Sequence, residues 1–171
     1  MSNMLGRPDP RDAILQHLQE MRAFAMSLTR NPSSADDLVQ DSIVKAWRKF
    51  HQFDQTTNLR AWLFTIVRNT FYSDLRKSRR ELSNIENTDV EEYSDGGGTD
   101  QIIAVMDFEK AFSILPTEQR EALTLVAASG MSYEEAAATC GIAIGTIKSR
   151  VNRGRKRLAD ILERNGLSDI G

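Results

Sequence analysis

The chain has 171 residues, of which 40% are hydrophobic and 27% are charged, a composition typical of one globular domain or two small ones. No apolar run approaches the roughly 18 residues that a membrane span needs, and the start lacks a signal-peptide pattern. The single Cys140 excludes an internal disulfide, and two histidines make a metal cluster implausible. We therefore expect a cytoplasmic protein that uses no metal and no cofactor.

The net charge is −2, but the charge is unevenly distributed. Residues 1–83 carry 13 basic and 9 acidic side chains, whereas residues 84–102 carry six acidic side chains and no basic one. Residues 103–171 carry nine of each, and six of those nine basic side chains lie between Lys148 and Arg157. Because salt screens distant charges, these local basic clusters are compatible with binding to nucleic acid.

Nearly the whole chain is predicted to be helical, because apolar residues recur at steps of three and four. The first helix is expected to open at Asp9–Pro10 and to stop at Asn31–Pro32. Its predicted buried stripe contains Ile14, Leu18, Met21, Ala25 and Leu28.

Ser33 or Ser34 is predicted to cap a second helix. This helix is expected to bury Leu38, Val39, Ser42, Ile43, Ala46, Trp47 and Phe50. It is expected to expose Asp37, Gln40, Asp41, Lys45 and Arg48.

After a polar loop at residues 51–58, a third helix is predicted over Leu59–Arg79. Basic and aromatic residues alternate along one line of this helix: Arg60, Phe64, Arg68, Tyr72 and Arg76. Guanidinium groups bind phosphates and aromatic rings stack on exposed bases, so the line is suited to nucleic acid. In the alternative interpretation, Phe64 and Tyr72 are packing residues and the arginines are only solvated.

The segment Asn84–Asp100 is acidic, contains Gly96–Gly98 and has almost no apolar residues, which predicts a flexible linker. We therefore place one helical domain at 9–83, the linker at 84–101 and a second helical domain at 102–164. The two domains are expected to have an adjustable separation. Residues 165–171 are expected to form a frayed tail.

The second half is predicted to begin with a helix near Thr99–Leu115, ended by Pro116. Thr117 is predicted to cap a helix over Glu118–Ala128 that stops at Gly130. Cys140, farther along the chain, is expected to be a small packing residue rather than a redox switch.

A helix-turn-helix pattern occupies residues 132–158. Ser132 and Glu135 form a capping box, and Gly141 allows the turn that ends the short helix. Ile147, Val151 and Leu158 are expected to face inward in the next helix, with close packing at Gly154. Ala143 provides no side-chain cap for this basic helix. A helix that enters a DNA major groove has this layout, and the alternative is a helix pair with a solvated basic face.

The motifs of the two halves resemble regions 2 and 4 of bacterial sigma factors, in that order. Residues 37–47 and 59–69 resemble region 2, and residues 115–123 and 132–158 resemble region 4. The size, and the acidic linker in place of a region 3 domain, resemble the extracytoplasmic-function (ECF) group. Residues 62–72 and 145–153 resemble the EcfG-type general-stress subgroup. The resemblance implies an all-α fold of two small helical domains joined by the linker.

The resemblance also implies a function that is not enzymatic: binding to core RNA polymerase and promoter-specific initiation of transcription, with stress-response genes as the expected targets. The polymerase face, which would bind the β′ clamp helices, comprises Asp37, Gln40, Asp41, Lys45 and Arg48. The −10 surface, which would read and open the −10 element, comprises Asn58, Arg60, Trp62, Phe64, Arg68, Asn69, Tyr72 and Arg76. The −35 surface comprises Thr146, Lys148, Ser149, Arg150, Arg153, Arg155, Lys156 and Arg157. Region 4 would also contact the β flap. An anti-sigma factor would hold the protein inactive, by hypothesis clamping the two domains together over the −10 surface.

Two other classes of protein share parts of this pattern. A ligand-sensing helix-turn-helix regulator would be dimeric, and the sequence contains no heptad stripe. A helical enzyme would use Asp36, Asp37 and Asp41 as metal ligands, but no clustered histidine or second acidic motif accompanies them.

Overall fold

The computed structural model describes residues 9, 11–83 and 104–165 of the chain, with the side chains of 104–106 left out. The predicted linker and residues 166–171 of the predicted tail lie outside this range, so the domain bounds stay a prediction. Within it every regular element is helical, as predicted. The helices are α1 (Asp12–Leu15), α2 (Leu18–Thr29), α3 (Pro32–Lys49), α4 (Leu59–Ser83), α5 (Ala104–Ile114), α6 (Thr117–Leu123), α7 (Tyr133–Cys140) and α8 (Ile144–Arg164). A 3₁₀ turn at Phe50–Gln52 follows α3, and a π-helical turn at Thr124–Ala128 follows α6.

The first predicted helix is broken in two. The backbone N–H of His17 donates to the carbonyl of Ile14 at 3.0 Å, a tighter turn than an α-helix makes. The break turns Leu18 out of the predicted stripe, so that 39% of Leu18 is exposed while Ile14 and Met21 are buried. Helix α2 then ends at Thr29, and the next residue, Arg30, has a left-handed backbone with φ of 57°.

The prediction that Ser33 or Ser34 caps α3 is wrong, because Asn31 is the cap. Its backbone is extended, and its side-chain oxygen accepts a hydrogen bond from the N–H of Ser34 at 3.0 Å. Pro32 takes the first helical position, where a missing N–H leaves no intrahelical bond unmade. The two serines therefore lie within the first turn of α3.

Helices α2, α3 and α4 pack against one another in the first half of the molecule. Phe24 of α2 and Phe64 of α4 are both fully buried, and their rings stack with centroids 5.0 Å apart. An offset aromatic pair of this kind stabilises a core beyond the area it buries. This core fixes which face of α4 is turned away from solvent.

In the second half, the predicted start and end of α6 need correction. Pro116 with ψ of 146° precedes the helix, and Thr117 is its first residue rather than its cap. The helix also does not run to Ala128, because the chain widens into the π-helical turn, where the N–H of Ser129 bonds the carbonyl of Thr124 at 2.8 Å. Helices α6 and α7 pack against α8 to form a second core.

The two halves also contact each other. Helix α6 packs against α2, and α7 packs against α4. In this structure the two halves are therefore in direct contact. The expectation that their separation can change stays a prediction. The contact places α6 beside the helix that carries most of the predicted −10 surface.

Candidate DNA and polymerase interfaces

The helix-turn-helix forms as its local sequence dictates. Ser132 accepts a hydrogen bond from the N–H of Glu135 at 3.1 Å, and the Glu135 carboxylate accepts one from the N–H of Ser132 at 3.3 Å. Gly141 has φ of 65°, a left-handed conformation that glycine adopts without strain. The capping box and the glycine turn are thereby confirmed. Ala143 makes no side-chain cap for α8, also as predicted.

Helix α8 is held by a buried inner face. Ile147 and Val151 have no exposed surface, and Gly154 lies so close to α6 that an added Cβ would come within 2.9 Å of Leu123 Cδ1. The prediction of close packing at Gly154 is confirmed. Because this face is fixed against the core, the residues on the opposite face of α8 form its outer edge.

The −35 surface lies on that outer edge. Its residues fall into two groups by exposure. The exposed residues are Thr146, Lys148, Arg153, Arg155, Lys156 and Arg157, and the half-buried ones are Ser149 and Arg150. The Lys148 ammonium lies 5.7 Å from the ring centroid of Tyr133. The edge therefore presents several cations and two short hydroxyl side chains to solvent.

An open groove of about 530 Å³ separates the start of α6 from α8. Arg150 reaches into it from α8, with Nη2 3.7 Å from the Glu118 carboxylate of α6. The Oε1 atom of Gln119 is buried at the groove without a hydrogen-bond partner. Sequence patterns did not single out Glu118 or Gln119, because their relation to α8 depends on how α6 packs.

The outer parts of the −10 surface are accessible. Asn69 and Arg76 are exposed on α4, and Arg60 is half-buried with Nη1 3.3 Å from the Glu20 carboxylate. Asn58 is exposed and caps α4 by accepting from the N–H of Ala61 at 3.3 Å. Trp62 is half-buried in an aromatic cluster, 5.0 Å between centroids from Phe53 and 6.3 Å from Phe50. This cluster lies at the start of α4, beside the polar loop.

Phe64 does not belong to the accessible −10 surface. It is fully buried and stacked on Phe24. Its ring therefore has no face left for a base, and the packing alternative holds for this residue. The line of residues spaced by four gradually turns around α4, since a turn contains 3.6 residues, and position 64 falls on the core side.

Arg68 and Tyr72 lie at the contact between the halves. Arg68 Nε donates to the Glu121 carboxylate of α6, and the Tyr72 hydroxyl donates to the other carboxylate oxygen at 3.1 Å. The Arg68 guanidinium also lies 4.6 Å from the Tyr72 ring centroid. The Cys140 thiol of α7 is 3.5 Å from the same carboxylate. Three polar groups from two helices thus converge on Glu121 of α6.

The electrostatics of this cluster follow from burial and from the charge of Glu121. Burial opposes the charge on Arg68, but the attraction of Glu121 outweighs it and raises the pKa of the guanidinium above its ordinary value. Burial and then Glu121 raise the pKa of Tyr72 well above its ordinary value. The same two causes, in the same order, raise the pKa of Cys140 to about 12. The thiol and the phenol are therefore protonated at neutral pH. Cys140 is also buried, as expected.

The polymerase face lies on the solvent side of α3. Asp37, Gln40, Asp41 and Arg48 are exposed, and Lys45 is half-buried with Nζ 3.3 Å from Thr70 Oγ1. Two apolar side chains share this side of the helix. Val44 is 42% exposed and Trp47 is 43% exposed, so the prediction that Trp47 is buried is wrong. Helical periodicity placed Trp47 at the border of the stripe, and no local signal decided its direction.

The acidic residues at the start of α3 do not form a metal-binding group. Asp36 is paired with Arg22 at 2.7 Å. Among residues 9, 11–83 and 104–165, no group of three or more histidine, cysteine, aspartate or glutamate side chains is placed to hold a metal ion. No helix in the same described ranges is long and apolar enough to cross a membrane.

Comparison with known proteins tests whether the chain is related to sigma factors. Residues 13–81 match the family model of Sigma-70 region 2, and residues 106–158 match that of Sigma-70, region 4. The ECF RNA polymerase sigma factor EcfG of Rhodopseudomonas palustris (strain TIE-1) is 47% identical over 161 residues, which are 94% of this chain and 89% of the relative. The chain belongs to the ECF sigma factors. The sigma factor CnrH of Cupriavidus metallidurans is 34% identical, over 85% of this chain and 80% of CnrH.

Two solved structures of sigma factors share this fold. The sigma factor RpoE from Bartonella quintana, in complex with the anti-sigma factor NepR, matches with a TM-score of 0.77 and 47% identity, over 90% of this chain and 96% of that one. CnrH in complex with the cytosolic domain of CnrY matches with a TM-score of 0.63 and 28% identity, over 90% and 86% of the two chains. The resemblance stated from the motifs is confirmed.

Proposed function

We propose that this ECF sigma factor grips promoter DNA with α8 at the −35 element and with α4 at the −10 element, while α3 binds core RNA polymerase. One observation carries the DNA part of the proposal. The outer edge of α8 is free and basic, because Ile147, Val151 and Gly154 fix the opposite edge to the core. A helix anchored in this way can enter a major groove without distortion of its own domain.

At the −35 element, base edges and phosphates would be bound by different residues. Thr146, Ser149, Arg150 and Arg153 lie toward the N-terminal part of α8 and are assigned to base edges. Lys148, Arg155, Lys156 and Arg157 are assigned to phosphates. Glu118 holds Arg150 at the groove between α6 and α8, which would orient the guanidinium for a base.

At the −10 element, the open strand would bind along the start of α4. Asn58 and Trp62 flank the polar loop, and the ring of Trp62 packs against Phe53. An aromatic cluster beside a polar loop suits a base that has left the stack. Asn69 and Arg76 would continue the contact along the exposed part of α4.

The polymerase face would combine charge with apolar contact. Asp41 and Arg48 supply exposed charges, and Val44 and Trp47 supply exposed apolar surface beside them. Aromatic residues at the centre of an interface often contribute much of its binding free energy. We therefore expect Trp47→Ala to weaken binding to core polymerase by about 2 kcal/mol. Ala138, exposed on α7, provides a control as Ala138→Ser, for which unchanged affinity is expected.

An anti-sigma protein is proposed as the regulator. The solved relative RpoE from Bartonella quintana is bound to the anti-sigma factor NepR and is 47% identical to this chain. This likeness supports an inhibitor of the NepR kind and a role in the general stress response. A cytoplasmic location and a role as a non-catalytic initiation factor belong to the same proposal.

Run-off transcription tests the proposed function. Core polymerase would be combined with the chain on a library of promoter fragments, and specific initiation is the expected result. Arg153→Ala should weaken preference among −35 sequences and leave core binding intact. Failure of the native chain to bind core polymerase in a pull-down would contradict the proposal.

A further inference from the structure

Glu121 occupies an unusual position for an acidic side chain. It lies on α6 in region 4, is only 1% exposed, and receives hydrogen bonds from Arg68 and Tyr72 of region 2. A buried carboxylate is stabilised only when it is paired and hydrogen-bonded. Two of the three partners of Glu121, Arg68 and Tyr72, come from the other half of the chain, and the third is the Cys140 thiol. Glu121 is therefore a cross-domain group rather than a core residue of region 4.

The partners of Glu121 belong to the proposed −10 surface. A guanidinium and a hydroxyl that converge on two oxygens of one anion would bind a DNA phosphate in the same way. We propose that Glu121 acts as an internal competitor of promoter DNA, holding Arg68 and Tyr72 in a closed form that must open before α4 binds DNA. The masking step rests on the proposed function of α4, whereas the closed form itself does not.

A second contact between the halves supports the closed form independently. Arg120, the neighbour of Glu121, is 1% exposed and donates to the carbonyl of Ser27 at 2.8 Å and to that of Leu28 at 3.4 Å. These carbonyls belong to the last turn of α2, where no intrahelical donor remains for them. Arg120 therefore satisfies the end of a region 2 helix from region 4.

The closed form is built so that it can reopen. Arg120 is held by carbonyl and hydroxyl oxygens, and burial followed by the nearby charge of Arg30 lowers its pKa to about 10. Its charge is thus less stable in the contact than in water. Separation of the halves would rehydrate Arg68, Arg120 and Glu121, and this hydration offsets the lost hydrogen bonds. Such a contact suits a reversible switch.

The test compares two charge-neutral substitutions in the full chain. Glu121→Gln keeps the shape of the side chain and removes the charge that Arg68 binds. Glu134→Gln is the matched control, because it removes the same charge from an exposed position on α7. Small-angle X-ray scattering gives the radius of gyration, and fluorescence anisotropy gives the affinity for a labelled single-stranded 20-mer of mixed sequence.

We expect Glu121→Gln to increase the radius of gyration and to bind the oligonucleotide about tenfold more tightly, with Glu134→Gln unchanged on both measures. Adding Arg68→Gln to Glu121→Gln should remove the gain in affinity, because the gain comes from the freed guanidinium. An equal gain from Glu134→Gln would overturn the proposal, since net charge alone would then explain it.

Two further results would also overturn it. An unchanged radius of gyration for folded Glu121→Gln would reject Glu121 as the group that holds the closed form, and expansion without a gain in affinity would reject the masking. Circular dichroism checks the fold. If Glu121→Gln does not fold, Tyr72→Phe removes one cross-domain hydrogen bond without touching region 4, and a radius equal to the native one would reject the role of the Glu121 contact in holding the halves together. Failure of the native chain in run-off transcription would contradict the proposed function while leaving the scattering result to judge the closed form.

Discussion

Helices α4 and α8 both carry basic side chains at helical spacing, yet the fold treats them differently. The outer edge of α8 is open along most of its length, whereas on α4 one aromatic residue is in the core and two further residues are bound to Glu121. The difference is not in the helices themselves. It arises because α8 keeps its outer edge free of packing, whereas on α4 Phe64 packs against Phe24 in the core. Arg68 and Tyr72 of α4 lie against an acidic side chain from the other half. Accessibility, more than the sequence pattern, thus separates the two surfaces.

The largest effect that tests the difference between α4 and α8 is expected from removal of the Phe64 side chain. Phe64→Ala should lower the free energy of unfolding by about 3–5 kcal/mol, because it empties the core position stacked on Phe24. Urea denaturation measures this change. Arg76→Ala, on the exposed part of the same helix, should change stability by less than about 0.5 kcal/mol. Similar small losses of stability for both variants would show that Phe64 is not a core residue.

High pH should weaken the contact between α4 and the Glu121 cluster of the second half. The charged groups near the Cys140 thiol are Glu121 of α6, Arg68 of α4 and Arg150 of α8, and the titratable Tyr72 of α4 lies near it as well. Its pKa is about 12 when folded against an ordinary value of 9.0. The unfolded chain therefore loses this proton first, and stability is lost as pH rises from about 9 toward 12, by up to about 4 kcal/mol.

Chemical denaturation at several pH values measures the loss. Cys140→Ala should show a flatter decline over the same range, because the other titrating groups are common to both chains. Parallel curves for the variant and the native chain would show that the thiol does not contribute.

On α8 the comparison is sharpened by separating base contacts from phosphate contacts. Arg153→Ala should weaken binding to a −35 fragment by roughly 1–3 kcal/mol if its guanidinium reads a base. Anisotropy titration against the cognate fragment and against random DNA measures the difference. An equal loss on both DNAs would assign Arg153 to a phosphate.

The smallest effect is expected from Lys156. Lys156→Ala should weaken binding to all DNA sequences alike, by less than about 1 kcal/mol, and reduce the slope of log affinity against log salt by about one. Titrations at three salt concentrations provide the slope. A sequence-dependent loss would contradict the assignment to phosphate.

Features that depend on neighbours in sequence were predictable. The capping box at Ser132, the turn at Gly141 and the tight packing at Gly154 each follow from the chemistry of one residue and its immediate context. The all-α fold and the family could likewise be predicted from helical periodicity and two sets of motifs.

Features that depend on packing were not predictable. The break before Leu18 and the exposure of Trp47 are decided by which surface each helix meets, and periodicity alone leaves such border positions open. The contact of Glu121 with Arg68 joins residues 53 positions apart, and no local pattern marks it. Asn31 is a residue type that often caps helices, but the neighbouring Ser33 and Ser34 are equally good cap residues, and the sequence alone did not decide among them.

Gly154 has a consequence for the spacing of promoter elements. Because its missing side chain lets α8 lie directly on α6, Glu121 and the −35 surface belong to one rigid piece and move together. Release of Glu121 therefore carries the recognition helix away from α4 as a body. Any change in the distance between the −35 surface and α4 would then come from movement of this rigid piece and not from bending within region 4.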